Sequence, residues 1–141
     1  MSDAHRRYER FFDDLKSLGL RMTAQRKVIL RVIAEANDHP DANDVYRRAY
    51  ALDGSVSLST VYRTLRMLED KGTIQRHAFD DGRARFEDAE REHHDHLINI
   101  DSGEVIEFRS EKIEKLQAEI AAELGYDIVR HKLELYCRKR R

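Results

Sequence analysis

The chain holds a single cysteine, Cys137, among 141 residues. An intrachain disulfide and a zinc site built from several thiolates are therefore excluded. No apolar run approaches the length of a membrane helix, and the first residues contain no apolar signal segment. These absences predict a protein that stays in the cytosol and makes no membrane contact. Internal repeats and low-complexity segments are also missing. What is present is a charged fraction of 38% beside a hydrophobic fraction of 40%. The length suits one ordinary domain or two small ones.

The net charge of −1 conceals an asymmetry. Residues 1–88 hold 16 Lys and Arg against 15 Asp and Glu, whereas residues 89–137 hold 6 against 12. The tail Arg138-Lys139-Arg140-Arg141 restores the balance and reads as a solvated end. An acidic half that also carries His suits cations. A near-neutral half can bind DNA if its Arg residues gather on one face.

Periodicity predicts four helices in the first half. Tyr8, Phe11, Phe12, Leu15 and Leu18 recur at spacings of three and four, ending at Gly19. Thr23 caps a second helix with Val28, Ile29, Val32, Ile33 and Ala36 inside, stopped by Asn37-Asp38-His39-Pro40. Asp41 caps a third, with Val45, Ala49 and Leu52 inside. Ser57 or Ser59 starts a fourth, with a buried stripe of Leu58, Val61, Leu65 and Leu68 and an outer face of Ser59, Tyr62, Arg63 and Arg66. Thr73 to Phe79 and Arg83 to Glu87 then read as a hairpin around Asp80-Asp81-Gly82. Three helices and a hairpin, with one helix in front, predict a winged helix-turn-helix. The fourth helix is the candidate DNA reader, because it pairs a docking stripe with forked donors.

Asp88-Ala89-Glu90-Arg91-Glu92 is polar and aperiodic and reads as a hinge. The predicted organisation is α+β: a winged-helix domain over 1–88, a hinge over 89–92 and a small C-terminal α/β dimerisation domain over 93–141. The second domain opens with His93-His94-Asp95-His96, four potential metal ligands in a row. Leu97, Ile98 and Ile100 follow, and Asp101-Ser102-Gly103 turns into Glu104-Val105-Ile106-Glu107-Phe108. Successive strand side chains face opposite ways. His94 and His96 then share one face, and His93 and Asp95 the other, so the tetrapeptide can serve two metal sites back to back. A helix with Ile113, Leu116, Ile120, Ala121 and Leu124 inside comes next. A last strand is expected from Tyr126 to Tyr136, with Val129, His131, Leu133 and Leu135 on one face. A domain of this size buries too little surface to be comfortable alone. Metal binding or a partner subunit would supply the deficit.

Taken together, Ser59-Thr60-Val61-Tyr62-Arg63-Thr64-Leu65, Arg76-His77, His93-His94-Asp95-His96-Leu97-Ile98, Gly103-Glu104-Val105-Ile106-Glu107-Phe108 and Gly125-Tyr126 running on to His131 and Leu135-Tyr136 resemble the ferric uptake regulator (Fur) family. The order and spacing match over nearly the whole chain. The resemblance implies a dimeric winged-helix repressor whose DNA affinity depends on a divalent metal. It implies a regulatory site of His39, Glu87, His94, His96 and Glu107. This donor set suits Fe(II) or Mn(II). It implies a second site of His93, Asp95, Glu114 and His131, able to hold Zn(II). For DNA it implies base contacts by Tyr62 and Arg63, with Ser59 and Thr60 beside them. Arg21 would enter an A/T-rich minor groove. Many members also hold zinc through two Cys-x-x-Cys pairs. Here Asn99 and Ser102 replace the first pair and the second is missing, which fits the iron- and manganese-sensing branches.

Plainer readings stay open for single residues. His39 also suits a helix stop, Glu107 a surface strand, His131 a satisfied core imidazole and Arg21 an ordinary surface charge. Two other functions remain: a metalloenzyme with an open His/carboxylate site, and a haem-responsive DNA binder of the same fold. Against the first stands the lack of a recognisable general base or nucleophile elbow. The expected partners are an inverted-repeat operator and a second copy of the chain, with pairing of dimers left open.

Overall fold

The computed structural model describes residues 2–80, 82–90 and 94–141. Of the predicted features, His93, Asp81 in the wing turn and Arg91-Glu92 in the hinge lie outside the described residues. The fold is α+β, and the chain divides into two compact units, Met1–Arg91 and Glu92–Arg141.

The first unit contains α1 (Asp3–Ser17), α2 (Ala24–Glu35), α3 (Ala42–Leu52) and α4 (Leu58–Lys71), then the antiparallel hairpin β1 (Ile74–Ala78) and β2 (Ala84–Asp88). Side chains that compete poorly inside helices sit at their starts, where they satisfy free N–H groups. Ser2, Thr23, Asp41 and Ser57 cap the four helices, and Asp41 with Asp44 forms a reciprocal capping box. Gly72 closes α4 at φ 83°, a left-handed conformation that glycine takes without a Cβ penalty. Phe11, Leu15, Ile29, Leu30, Val45, Val61, Leu65 and Leu68 form one core, joined by Ile74 and Phe86 of the hairpin. Each such side chain contributes roughly 1.5–3 kcal/mol through burial. The front helix is tied into this unit. Thr73 Oγ1 donates to Asp14 Oδ2 at 2.6 Å, and Arg7 Nε donates to the Ala34 carbonyl at 2.8 Å. Arg10 pairs with Asp88 and, at 2.7 Å, with Glu90.

Leu18, the last residue of the first predicted stripe and the C-cap of α1, is 47% exposed, and two residues expected inside α3 and α4 are not buried either. Leu52 is 53% exposed and Leu58 37%. They are the last residue of α3 and the first of α4, so their stripes run past the edge of the core. Thr64 is fully buried. Its hydroxyl donates to the Thr60 carbonyl at 2.7 Å, which removes the cost of placing it there. The α3–α4 connection is held by Asp53, whose carboxylate accepts from Ser55 Oγ at 2.6 Å and Ser55 N at 2.9 Å. The hydroxyl and then the amide hold the Asp53 carboxyl below its usual range.

The second unit contains β3 (Asp95–Asn99), β4 (Val105–Phe108), α5 (Glu111–Glu123) and β5 (Glu134–Cys137). The strand order is β4-β3-β5, with β4 antiparallel and β5 parallel to β3. The last strand is shorter than the expected Tyr126 to Tyr136. Pairing with β3 runs from His96 opposite Glu134 to Asn99 opposite Cys137. His131 therefore lies in the segment leading into β5, not on a strand face. The apolar face of α5 also differs from expectation. It has no buried residue, and Leu116, Ile120 and Leu124 are 57%, 49% and 70% exposed. Ile113 and Ala121 of the same stripe are half-buried, so the larger part of it is open in the single chain.

Candidate metal centres and DNA-reading helix

In the first unit, β2 carries the site. Phe86 N donates to the Pro40 carbonyl at 2.9 Å, which fastens the turn after α2 to the strand. His39 Nε2 then lies 3.2 Å from Glu87 Oε2, and both side chains are buried. The turn is fixed from the other side by Arg48. Its guanidinium forks onto Asp38 at 2.6 and 3.0 Å, and the fork draws the Asp38 carboxyl below its usual range. Glu87 also meets His77, whose Nε2 is 2.5 Å from Oε1. His77 stacks on Phe79, with ring centroids 5.8 Å apart. Sequence reasoning left His77 without a role. The signal was there: hairpin register places His77 opposite Arg85, so Glu87, two residues on, shares its face.

In the second unit, β3 begins at Asp95, just after His94. The His94 and His96 rings meet edge to face at 4.8 Å, as alternation from one face requires. Glu107 is the register partner of His96, and its Oε1 lies 3.6 Å from His94 Nε2. Asp95 points the other way and is 1% exposed. His131 Nε2 lies 2.8 Å from Asp95 Oδ1 and 3.7 Å from Glu114 Oε1 of α5. The donor atoms of Asp95, Glu114 and His131 all lie within 4.8 Å of one another. Metal bonds of about 2.0–2.2 Å need only a modest contraction of that triangle. One imidazole and two carboxylates on one centre fit a divalent cation.

Asn99 and Ser102 serve the turn between β3 and β4. Asn99 Oδ1 accepts from the amides of Asp101 at 2.9 Å and Ser102 at 3.2 Å. Ser102 Oγ accepts from Glu104 N at 3.2 Å, and Gly103 takes φ 77°. Hydrogen bonds thus close this turn.

On α4, Ser59, Tyr62 and Arg63 are exposed, and Tyr62 shows half its surface. Thr60 is half-buried, and its hydroxyl bonds to that of Ser57 at 2.8 Å. Arg66, Arg76 and Arg83 line a cleft of about 700 Å³ with Tyr62, between α4 and the hairpin. Arg21 is exposed ahead of α2, its carbonyl accepting from Arg26 Nη1 at 2.5 Å. Arg76 pairs with Glu69 and Arg83 with Asp41, each at 3.3 Å, in that cleft, so Tyr62, Arg63 and Arg66 on the outer face of α4 are the groups suited to phosphate and base recognition.

A winged helix with that outer face, in one chain with a unit rich in imidazole–carboxylate clusters, defines a metal-responsive transcriptional regulator. Residues 17–136 match the model of the Ferric uptake regulator family, and the chain belongs to that family. The ferric uptake regulation protein of Brucella abortus is 56% identical over 126 residues, covering 89% of each chain. A solved zinc-bound manganese uptake regulator is 50% identical, with TM-score 0.80, covering 92% of this chain and 98% of that one. The ferric uptake regulator of Pseudomonas aeruginosa, solved with manganese, is 42% identical, with TM-score 0.74, covering 92% and 97%. The family's regulators are dimeric DNA-binding proteins and not enzymes, so the metalloenzyme reading is set aside. No helix among the described residues is long and apolar enough to cross a membrane.

Proposed function

We propose that the protein is a cytoplasmic repressor of metal-uptake genes, and that Fe(II) or Mn(II) switches it on. The regulatory ion takes His39 and Glu87 from the first unit and His94, His96 and Glu107 from the second. The observation that carries this reading is the pairing already present within each unit: His39 on Glu87 and His94 on Glu107. Three imidazoles and two carboxylates match the mixed preferences of either ion. Asp95, Glu114 and His131, with His93, form the second site and take Zn(II). The bound metal supplies positive charge and several coordination bonds; the side chains supply orientation.

Drawing ligands from both units lets the regulatory ion restrict the hinge over 89–92. Two reading helices in a dimer then present one separation, which favours an inverted-repeat, A/T-rich operator. Metal selects among hinge conformations and need not touch DNA. Such coupling is typically ~1–3 kcal/mol, about 5–150-fold in affinity, and operates equally in both directions. Tyr62 and Arg63 read base edges, Ser59 and Thr60 contact the backbone, and Arg21 enters the minor groove. Exposed Leu116, Ile120 and Leu124 supply a face for a second copy of the chain. Pairs of dimers are a further state that the operator could recruit.

The test is anaerobic footprinting on A/T-rich promoter DNA after chelation, with Fe(II), Mn(II) and Zn(II) compared. His96→Ala is expected to abolish metal-stimulated protection and leave a folded dimer. Equal operator affinity with and without Fe(II) and Mn(II) would remove the proposed switch.

A further inference from the structure

We infer that Gln117 is the positioning residue of the second metal site, exchanging its amide donor for its amide acceptor as the ion binds. The inference rests on the Asp95/Glu114/His131 site described above. Gln117 lies on α5, one turn beyond Glu114, and is half-buried. Its Nε2 is 2.6 Å from His131 Nδ1 and 3.0 Å from Glu114 Oε2. One NH2 group has two protons, and both are used here. The far nitrogen of the same ring, Nε2, faces Asp95 Oδ1 at 2.8 Å.

These contacts fix the tautomer of the neutral ring. Nδ1 accepts from Gln117, so Nε2 carries the hydrogen and donates it to Asp95. That arrangement cannot ligate. A metal facing Asp95 and Glu114 needs the Nε2 lone pair, so the ring hydrogen must stand on Nδ1. Nδ1–H then needs an acceptor where it now meets a donor. Rotating the Gln117 amide by half a turn brings Oε1 to that place. Glu114 loses the amide proton in the same movement, and the ion compensates its charge. A glutamine serves both tautomers because it carries a donor and an acceptor at one position. A leucine serves neither, and a glutamate serves only the metal-bound one. Gln117 touches the ring on the side away from the ion, so it acts through His131. Partners of this kind typically change metal affinity about 10–100-fold.

The experiment uses the full-length chain carrying His96→Ala, which removes the other site, and titrates it with Zn(II) against a competing chelator. Gln117→Leu is expected to weaken the remaining Zn(II) site about 10–100-fold. Gln117→Glu is expected to match or exceed the affinity of the Gln117 protein. Nitrogen-15 spectra of the imidazoles provide a readout that a packing role would not move. His131 should show its hydrogen on Nε2 without Zn(II) and on Nδ1 with it. Unchanged Zn(II) affinity in Gln117→Leu, with His131→Ala losing the ion, overturns the role of Gln117 and keeps the site. Unchanged affinity in His131→Ala overturns both. A ring hydrogen that stays on one nitrogen throughout overturns the exchange.

Discussion

His39 Nε2 and Glu87 Oε2 stand 3.2 Å apart in the first unit, although 48 positions separate them in the chain. The bond from Phe86 N to the Pro40 carbonyl makes that proximity a property of the fold and not of two mobile side chains. His77 holds the other oxygen of Glu87. The carboxylate is therefore set in place before any ion arrives, and binding need not pay to order it.

Glu87→Gln keeps the size of this side chain and its ability to accept from one imidazole. It removes the negative charge that a divalent cation needs. Stimulation of operator binding by Mn(II) should fall toward unity while metal-free binding stays as it was. Fluorescence anisotropy of labelled operator with and without Mn(II) checks this. Retained stimulation would place the regulatory carboxylate elsewhere.

Arg63→Ala should weaken operator binding by about 1–3 kcal/mol if Arg63 forks to a base. Mn(II) affinity of the protein without DNA should be unchanged. Calorimetric titration of the free variant, beside anisotropy on operator DNA, separates the two effects. A change in metal affinity without DNA would assign Arg63 a structural role.

Leu124→Glu puts a charge into the exposed apolar stripe of α5, where Leu124 itself is 70% exposed. The monomer loses little, because no burial is given up there. The dimer must desolvate the new carboxylate. Sedimentation equilibrium should show a shift from dimer to monomer, with unchanged helical content by circular dichroism. A dimer of wild-type strength would place the subunit interface on another surface.

Asp53 gives a pH-dependent test. Its folded carboxyl titrates below the usual range because Ser55 donates to the ionised form. A depressed folded value contributes stability that is present above the unfolded pKa and lost as pH falls through the folded one. Asp53→Ala should therefore lower the thermal midpoint near neutral pH, and the difference should shrink on acidification through the carboxylate range. Thermal melts of both proteins across that range measure it. A difference that grows toward acid would reverse the sign and remove this account of the turn.

The sequence by itself determined the elements of the first unit. Caps at Thr23, Asp41 and Ser57, and stripes such as Val61, Leu65 and Leu68, are local signals that tertiary packing did not override. Strand alternation likewise separated His94 and His96 from Asp95. Only the tertiary structure decided where those stripes meet the core, so Leu52 and Leu58 fell outside it. It also decided the length of β5, because a strand extends only as far as its pairing, and periodicity carries no record of that pairing. The contacts of His131 with Asp95 and Gln117 belong to the same class. The hairpin turn carried the His77–Glu87 register in the sequence, whereas the His131 contacts depend on a connection between distant residues that no local pattern in the chain encodes.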